Sequence, residues 1–171
     1  SGVWKTLWRN GISADILTEN MDWSGYDILF LPNVTIMDST TRERIEQTLE
    51  QYPKTRFVAE GSFGMYSADG QSSYNPPEGF QEKFEVRVAD FSEINDYDIE
   101  VGRNLLQTPF GQSLITSNTG YAILEPIDDA KIWATLGDET VGVRTLNGRF
   151  TWLGMTLSAG FRDLGEANLV L

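Results

Sequence analysis

No cysteine and no histidine occur anywhere in the 171 residues. The chain therefore has no disulfide framework and neither thiolate nor imidazole ligands for a structural metal, so buried apolar surface must hold it together. It has the means: 40% of the residues are hydrophobic, among them 5 Trp, 9 Phe and 6 Tyr. That is the composition of a folded globule, and the length suits about one domain. The same absences prune the chemistry. Without imidazole there is no usual base for a serine or a water, and without thiol no cysteine nucleophile. Ser-His-Asp and Cys-His hydrolysis, zinc hydrolysis and haem ligation are set aside. Carboxylate, lysine, tyrosine and backbone groups remain, and neither metal nor cofactor is expected.

A formal charge of −12 repels phosphate backbones and anionic headgroups, so nucleic acid and membrane surface are not expected partners. The longest apolar runs, such as Ile28-Leu29-Phe30-Leu31, are far too short to span a bilayer. The lack of cysteine fits a reducing compartment, and a cytoplasmic location is the expectation. Asn33-Val34-Thr35 matches a glycosylation sequon, but no secretion signal accompanies it.

Along the chain, the first half alternates helix and strand. Trp4, Leu7 and Trp8 share one face of a short helix that Asn10-Gly11 stops. Ser13 to Leu17 reads as a short strand and Asp27 to Leu31 as a buried one, closed by Pro32 and Asn33. A helix then opens at Asp38-Ser39-Thr40-Thr41, with Thr40 and Glu43 at capping-box spacing and Ile45, Leu49 and Tyr52 facing inward. The next strand, Arg56 to Glu60, completes a βαβ unit. After an irregular loop from Met65 to Glu78, a short helix is expected around Phe80 to Phe84 and a strand near Val86 to Phe91. Tyr121 to Leu124, Lys131 to Leu136, Thr140 to Leu146 and Arg149 to Met155 then read as short strands. Gly137-Asp138 and Asn147-Gly148 turn the later ones into hairpins. A helix ahead of any strand, and a close at Asp163 to Leu171 that reads as a helix cut through its apolar face, suggest a segment of a longer polypeptide lacking its first strand.

Ligands of open parallel sheets gather beyond the carboxyl ends of the strands. Two such ends are candidates: Asn33, and the turn Glu60-Gly61-Ser62-Phe63-Gly64. The two glycines allow a sharp turn resembling a nucleophile elbow, but Ser62 has no histidine to serve it. Glu60 could act as a general acid if buried, yet glycoside hydrolysis needs two carboxyls and no spacing marks a pair. Asp96, Asp98 and Glu100 alternate as calcium ligands do, but Val101 and Gln107 stand where an EF-hand loop needs glycine and glutamate. Trp23, Phe63, Tyr66, Tyr74 and Phe80 fall in or beside loops, where aromatics suit sugar stacking or a subunit interface. Trp133 and Trp152, inside strands, are core.

The order of these pieces resembles a known domain. Leu7-Trp8, Gly11-Ile12, Asp15-Ile16 and Tyr26 to Asn33, followed by a capped helix and a strand, are similar to the middle domain of family 42 β-galactosidases. So are Pro77 to Phe80, Gly120 to Pro126 and Gly148 to Gly154, so that the resemblance runs from about Leu7 to Thr156. It implies a class I glutamine amidotransferase-like, flavodoxin-related fold that mediates trimerisation and walls a neighbouring subunit's active site, with the catalytic glutamates on a separate TIM barrel. The amidotransferase nucleophile would map near Ser62, and its partner histidine has no counterpart.

The resulting expectation is a three-layer, flavodoxin-like α/β domain, mostly parallel, with antiparallel C-terminal strands. Its expected role is non-catalytic assembly within a homo-oligomeric β-galactosidase-like glycoside hydrolase, most simply a trimer. Ile28 to Leu31 and Phe57 to Ala59 would supply core. Glu60, Gly61, Ser62, Phe63, Tyr66, Tyr74, Trp23 and Asn33 are the candidates for interface or ligand contact, with a carbohydrate near Glu60. The alternative is a degenerate amidotransferase-like module that binds a sugar or small metabolite.

Overall fold

A computed structural model describes residues 2–71, 83–95, 98, 104–115 and 119–156. Helix α1 (Gly2–Arg9) is followed by β1 (Ile28–Pro32), β2 (Ile36–Met37), α2 (Ser39–Gln51), β3 (Arg56–Glu60) and β4 (Tyr66–Ser67). Then come β5 (Val86–Ile94), β6 (Leu105–Thr108), β7 (Gly111–Leu114), β8 (Thr119–Pro126), β9 (Lys131–Leu136), β10 (Glu139–Thr145) and β11 (Phe150–Leu153). The main sheet has seven strands in the order β1-β3-β11-β10-β9-β6-β7; β2 pairs with β4, and β5 with β8.

The expected βαβ unit is present. β1 and β3 pair in parallel, Leu29 opposite Phe57 and Leu31 opposite Ala59, with α2 as the crossover. Asp38, rather than Thr40, caps α2: its Oδ1 accepts the Thr41 N–H at 2.7 Å, satisfying an N-terminal donor that the helix cannot pair itself. Ile45 and Leu49 are buried, and Tyr52 is half-buried. At the other end of α2, Arg149 Nη2 donates to the Leu49 and Tyr52 carbonyls at 2.6 and 3.0 Å, placing a cation on the negative end of the helix dipole.

The three-layer flavodoxin-like expectation is wrong. The described residues are mostly β, with two α-helices and a mixed sheet. The reason lies in the connections. A parallel neighbour needs a long crossover, and only β1-α2-β3 supplies one with a helix. Beyond Phe84 the connections are tight turns such as Pro109-Phe110 and Gly137-Asp138, which join antiparallel strands. β11 closes this meander antiparallel to β10 and lies parallel to β3, Phe150 opposite Phe57. The β5–β8 ribbon, rather than a second helical layer, packs on the sheet: Ala122 N–H donates to the Gly154 carbonyl at 2.8 Å. A Cβ on Gly154 would overlap that same Ala122 carbonyl, so only glycine permits the approach.

Other expectations fall on both sides. Strands β5, β8, β9, β10 and β11 lie where the alternation placed them. Ser13 to Leu17 forms no strand, and the hairpin β6–β7 was not foreseen. The short helix around Phe80 to Phe84 falls largely outside the described residues, and the terminal stretch from Asp163 does so entirely. Ile28 is 59% exposed and Phe30 half-buried, so only Leu29 and Leu31 of β1 are core.

The core has two parts. One gathers Leu29, Leu31, Ile45 and Leu49 with Phe57, Phe84, Phe150 and Trp152. Its aromatic centre is dense: the Phe84 and Phe150 ring centroids lie 4.3 Å apart and those of Phe63 and Trp152 5.8 Å, edge to face. The other part packs Ile94, Leu106, Trp133, Leu136, Val141 and Met155.

Candidate functional site

The three mutually parallel strands β1, β3 and β11 finish together, and the chain segments leaving them meet at Gly61. Gly61 N–H donates to the Leu153 carbonyl at 2.9 Å and also reaches the Met155 carbonyl at 3.3 Å. Its φ is 72°, a left-handed value that glycine adopts without strain. A Cβ there would overlap Asn33 Oδ1 and lie 2.6 Å from Thr156 Oγ1. Asn33 also has a positive φ, 50°, and it is exposed. Glu60 is fully buried, Ser62 is half-buried, and Trp152 Nε1 donates to the Gly61 carbonyl at 3.0 Å. The turn thus concentrates small polar groups at the strand ends and anchors them on an indole in the core.

The chain then doubles back. Phe63 N–H bonds the Gly61 carbonyl at 2.9 Å, Gly64 N–H the Val34 carbonyl at 2.9 Å, and Tyr66 N–H the Thr35 carbonyl at 2.9 Å. Phe63 is thereby driven into the core, 1% exposed, which corrects its reading as a loop aromatic free to contact a partner. Trp23 is corrected in the same way. It is 7% exposed, its Nε1 donates to the Thr18 carbonyl at 2.9 Å, and the Arg44 guanidinium lies 6.0 Å from its ring centroid. Tyr66 is 42% exposed and keeps an open face. Tyr74 and Phe80 lie outside the described residues.

Of the sequence candidates, then, Asn33, Glu60, Gly61 and Ser62 come together. Thr156 joins them and was not foreseen, because nothing in a lone threonine beyond a strand shows which strand lies beside it. Lys83 is not placed to activate Ser62: its Nζ pairs with Glu46 and Glu50 of α2 at 3.6 and 3.4 Å. Asp96 and Glu100 lie outside the described residues, while Asp98 accepts the Asn95 N–H at 3.4 Å. No group of three or more Asp or Glu poised for a metal occurs among the described residues. No helix among them is long and apolar enough to cross a membrane.

A second polar pair sits in the other half of the core. Tyr121 Oη donates to Glu139 Oε2 at 2.6 Å. Burial holds the Tyr121 phenol above its ordinary range, and the bond to Glu139 adds to that. Arg144 spans the Trp133 ring at 5.4 Å; burial lowers its pKa and the nearby Arg56 adds to the effect.

Residues 3–54 match the family model of the β-galactosidase trimerisation domain. The fold agrees over nearly the whole length. Gan42B, a family 42 β-galactosidase from G. stearothermophilus, superposes with a TM-score of 0.73 at 14% identity, over 96% of this chain and 24% of its own. The domain is of the β-galactosidase trimerisation type. The cold-adapted β-galactosidase from Rahnella sp. R3 superposes on this trimerisation-type domain with a TM-score of 0.68 at 16% identity, over 96% of this chain and 26% of its own. An α-L-fucosidase isoenzyme from Paenibacillus thiaminolyticus gives 0.69 at 13% identity, over 96% and 26%. A comparison with curated protein sequences gives no match. The chain spans about a quarter of the length of the structures it resembles.

Proposed function

We propose that this chain is the assembly domain of a homo-oligomeric, most simply trimeric, glycoside hydrolase of the β-galactosidase type, and that bond cleavage happens elsewhere in that protein. The carrying observation is the agreement of the trimerisation-domain match over residues 3–54 with a shared fold across 96% of the chain. The chemistry supports it. The Glu60 turn brings carboxylate, hydroxyl and amide groups together, but it has no imidazole or thiol to activate Ser62. Glu60 itself is fully buried, as a positioning group would be.

In the assembled protein, the Asn33-Ser62-Tyr66 surface is the part of this turn that faces outward, and it is where a neighbouring subunit or its glycan would touch the domain. Isothermal calorimetry of the chain with galactose and galacto-oligosaccharides should be silent, and an aryl galactoside should not be hydrolysed by it. Binding that Asn33→Ala or Glu60→Ala abolishes, while the fold is kept, would favour the sugar-binding module instead.

A further inference from the structure

The two edges of the seven-stranded sheet differ in kind. β7 closes one side with Gly111-Gln112-Ser113-Leu114, short and largely polar, as exposed edges usually are. β1 closes the other with Ile28-Leu29-Phe30-Leu31-Pro32. Arg56 N–H donates to the Asp27 carbonyl at 2.9 Å, which fixes the ladder. In that register the backbone groups of Leu29 and Leu31 face β3, and those of Ile28 and Phe30 face outward. No strand lies on that side among the described residues.

Beside this edge runs a second stretch of unpaired backbone. Tyr26 Oη donates to Asp15 Oδ2 at 2.9 Å, tying residues 13–17 to the approach to β1. Yet the N–H groups of Ser13 to Leu17 make no backbone hydrogen bond among the described residues. Ile12 and Ile16 stand 53% and 78% exposed. Trp4 and Trp8 stack at 6.3 Å, and with Ile12 and Asp15 they line a hollow of about 440 Å³. A protein whose interior is this densely aromatic leaves its apolar helix face, an apolar extended segment and an apolar strand edge all bare at one place.

We propose that β1 is an interior strand in the intact protein, and that an apolar extended strand of the same polypeptide, from outside these residues, docks on its open edge between β1 and residues 13–17, beneath Trp4 and Trp8. A strand fits where a helix would not, because Ile28 and Phe30 offer a row of main-chain donors and acceptors that only extended backbone can pair. The same polypeptide is the source because the structures with this fold are about four times as long as this chain, so the domain has sequence beyond it to draw on. The inference stands apart from the assembly role and survives its failure.

Amide exchange by NMR tests it, on the chain at low and high concentration and on the chain preceded by a designed Val-Thr-Val-Ile-Val strand on Gly-Ser linkers of several lengths. In the bare chain, Ile28 and Phe30 amides should exchange about 100-fold faster than those of Leu29 and Leu31, whatever the concentration. At least one tethered strand should slow both by about tenfold or more. Three results would each overturn the proposal. They are Ile28 and Phe30 already slow in the bare monomer, slowing that appears only as chain concentration rises (a second copy then takes the edge), and no slowing with any linker.

Discussion

Replacing Gly61 with alanine puts a methyl group where the ends of β1, β3 and β11 converge, and the structure separates its effect into two contributions. The backbone contribution comes from φ of 72°, where an L-residue costs about 1–2 kcal/mol. The steric contribution comes from a Cβ that overlaps Asn33 Oδ1 and lies 2.6 Å from Thr156 Oγ1; such overpacking costs about 1–3 kcal/mol. A total near 3 kcal/mol should lower Tm by roughly 6–12 °C in a chain of this size. Gly70→Ala is the internal control. Its φ is 79°, but nothing lies within 4 Å of the new Cβ, so only the backbone contribution applies. That variant should lose about 1 kcal/mol, or roughly 2–4 °C. Thermal unfolding by far-UV circular dichroism, with urea titrations to check that the m-value is unchanged, gives both numbers. Adding Asn33→Gly to Gly61→Ala removes one overlapping side chain at a position whose own φ suits glycine, and should restore about 1 kcal/mol. Equal losses at Gly61 and Gly70, or no recovery in the double variant, would refute the crowding argument.

Three further substitutions probe the fold's other joints. Arg149→Met strips the Leu49 and Tyr52 carbonyls of their charged donor and should destabilise by about 1.5–3 kcal/mol in urea, largely independent of pH from 5 to 9. Asp38→Ala should cost about 1 kcal/mol at neutral pH. The Thr41 amide that it caps holds the Asp38 pKa down, so its contribution exists above the ordinary carboxyl pKa and disappears as pH falls through the lower folded value; below about pH 3 variant and parent should converge. Tyr121→Phe should cost about 1 kcal/mol near neutrality. Burial first, and then Glu139, raises the Tyr121 pKa, so the unfolded chain ionises before the folded one, and stability should fall as pH rises past about 10; the phenylalanine variant should show a shallower fall in alkaline unfolding titrations.

What the sequence disclosed and what it hid follow a physical line. Local patterns were legible: the apolar run before Pro32, the amphipathic α2, and the Asn147-Gly148 turn, whose residues adopt φ of 54° and 85°. The pairing of strands was not. Period-two alternation says which residues face a core but not which strand lies alongside, and β3 finds its second neighbour in β11, with Phe57 opposite Phe150. The proportion of antiparallel sheet, and with it the fold class, depended on that choice. At the candidate site the two glycines marked a sharp turn correctly. Phe63 was misjudged because a turn this tight reverses the chain within two residues, Phe63 N–H meeting the Gly61 carbonyl, and turns the ring under Trp152. Trp23 was misjudged because a loop can still be core when it folds over a helix, here beside Arg44 of α2.

The assembly role is tested most directly by the mass in solution of the full-length protein that carries this domain, measured by light scattering with and without residues 2–156. The intact protein should run at three times its chain mass and the deletion at one, with the remaining catalytic domain still folded. A monomeric parent, or a trimer that survives the deletion, would contradict the account.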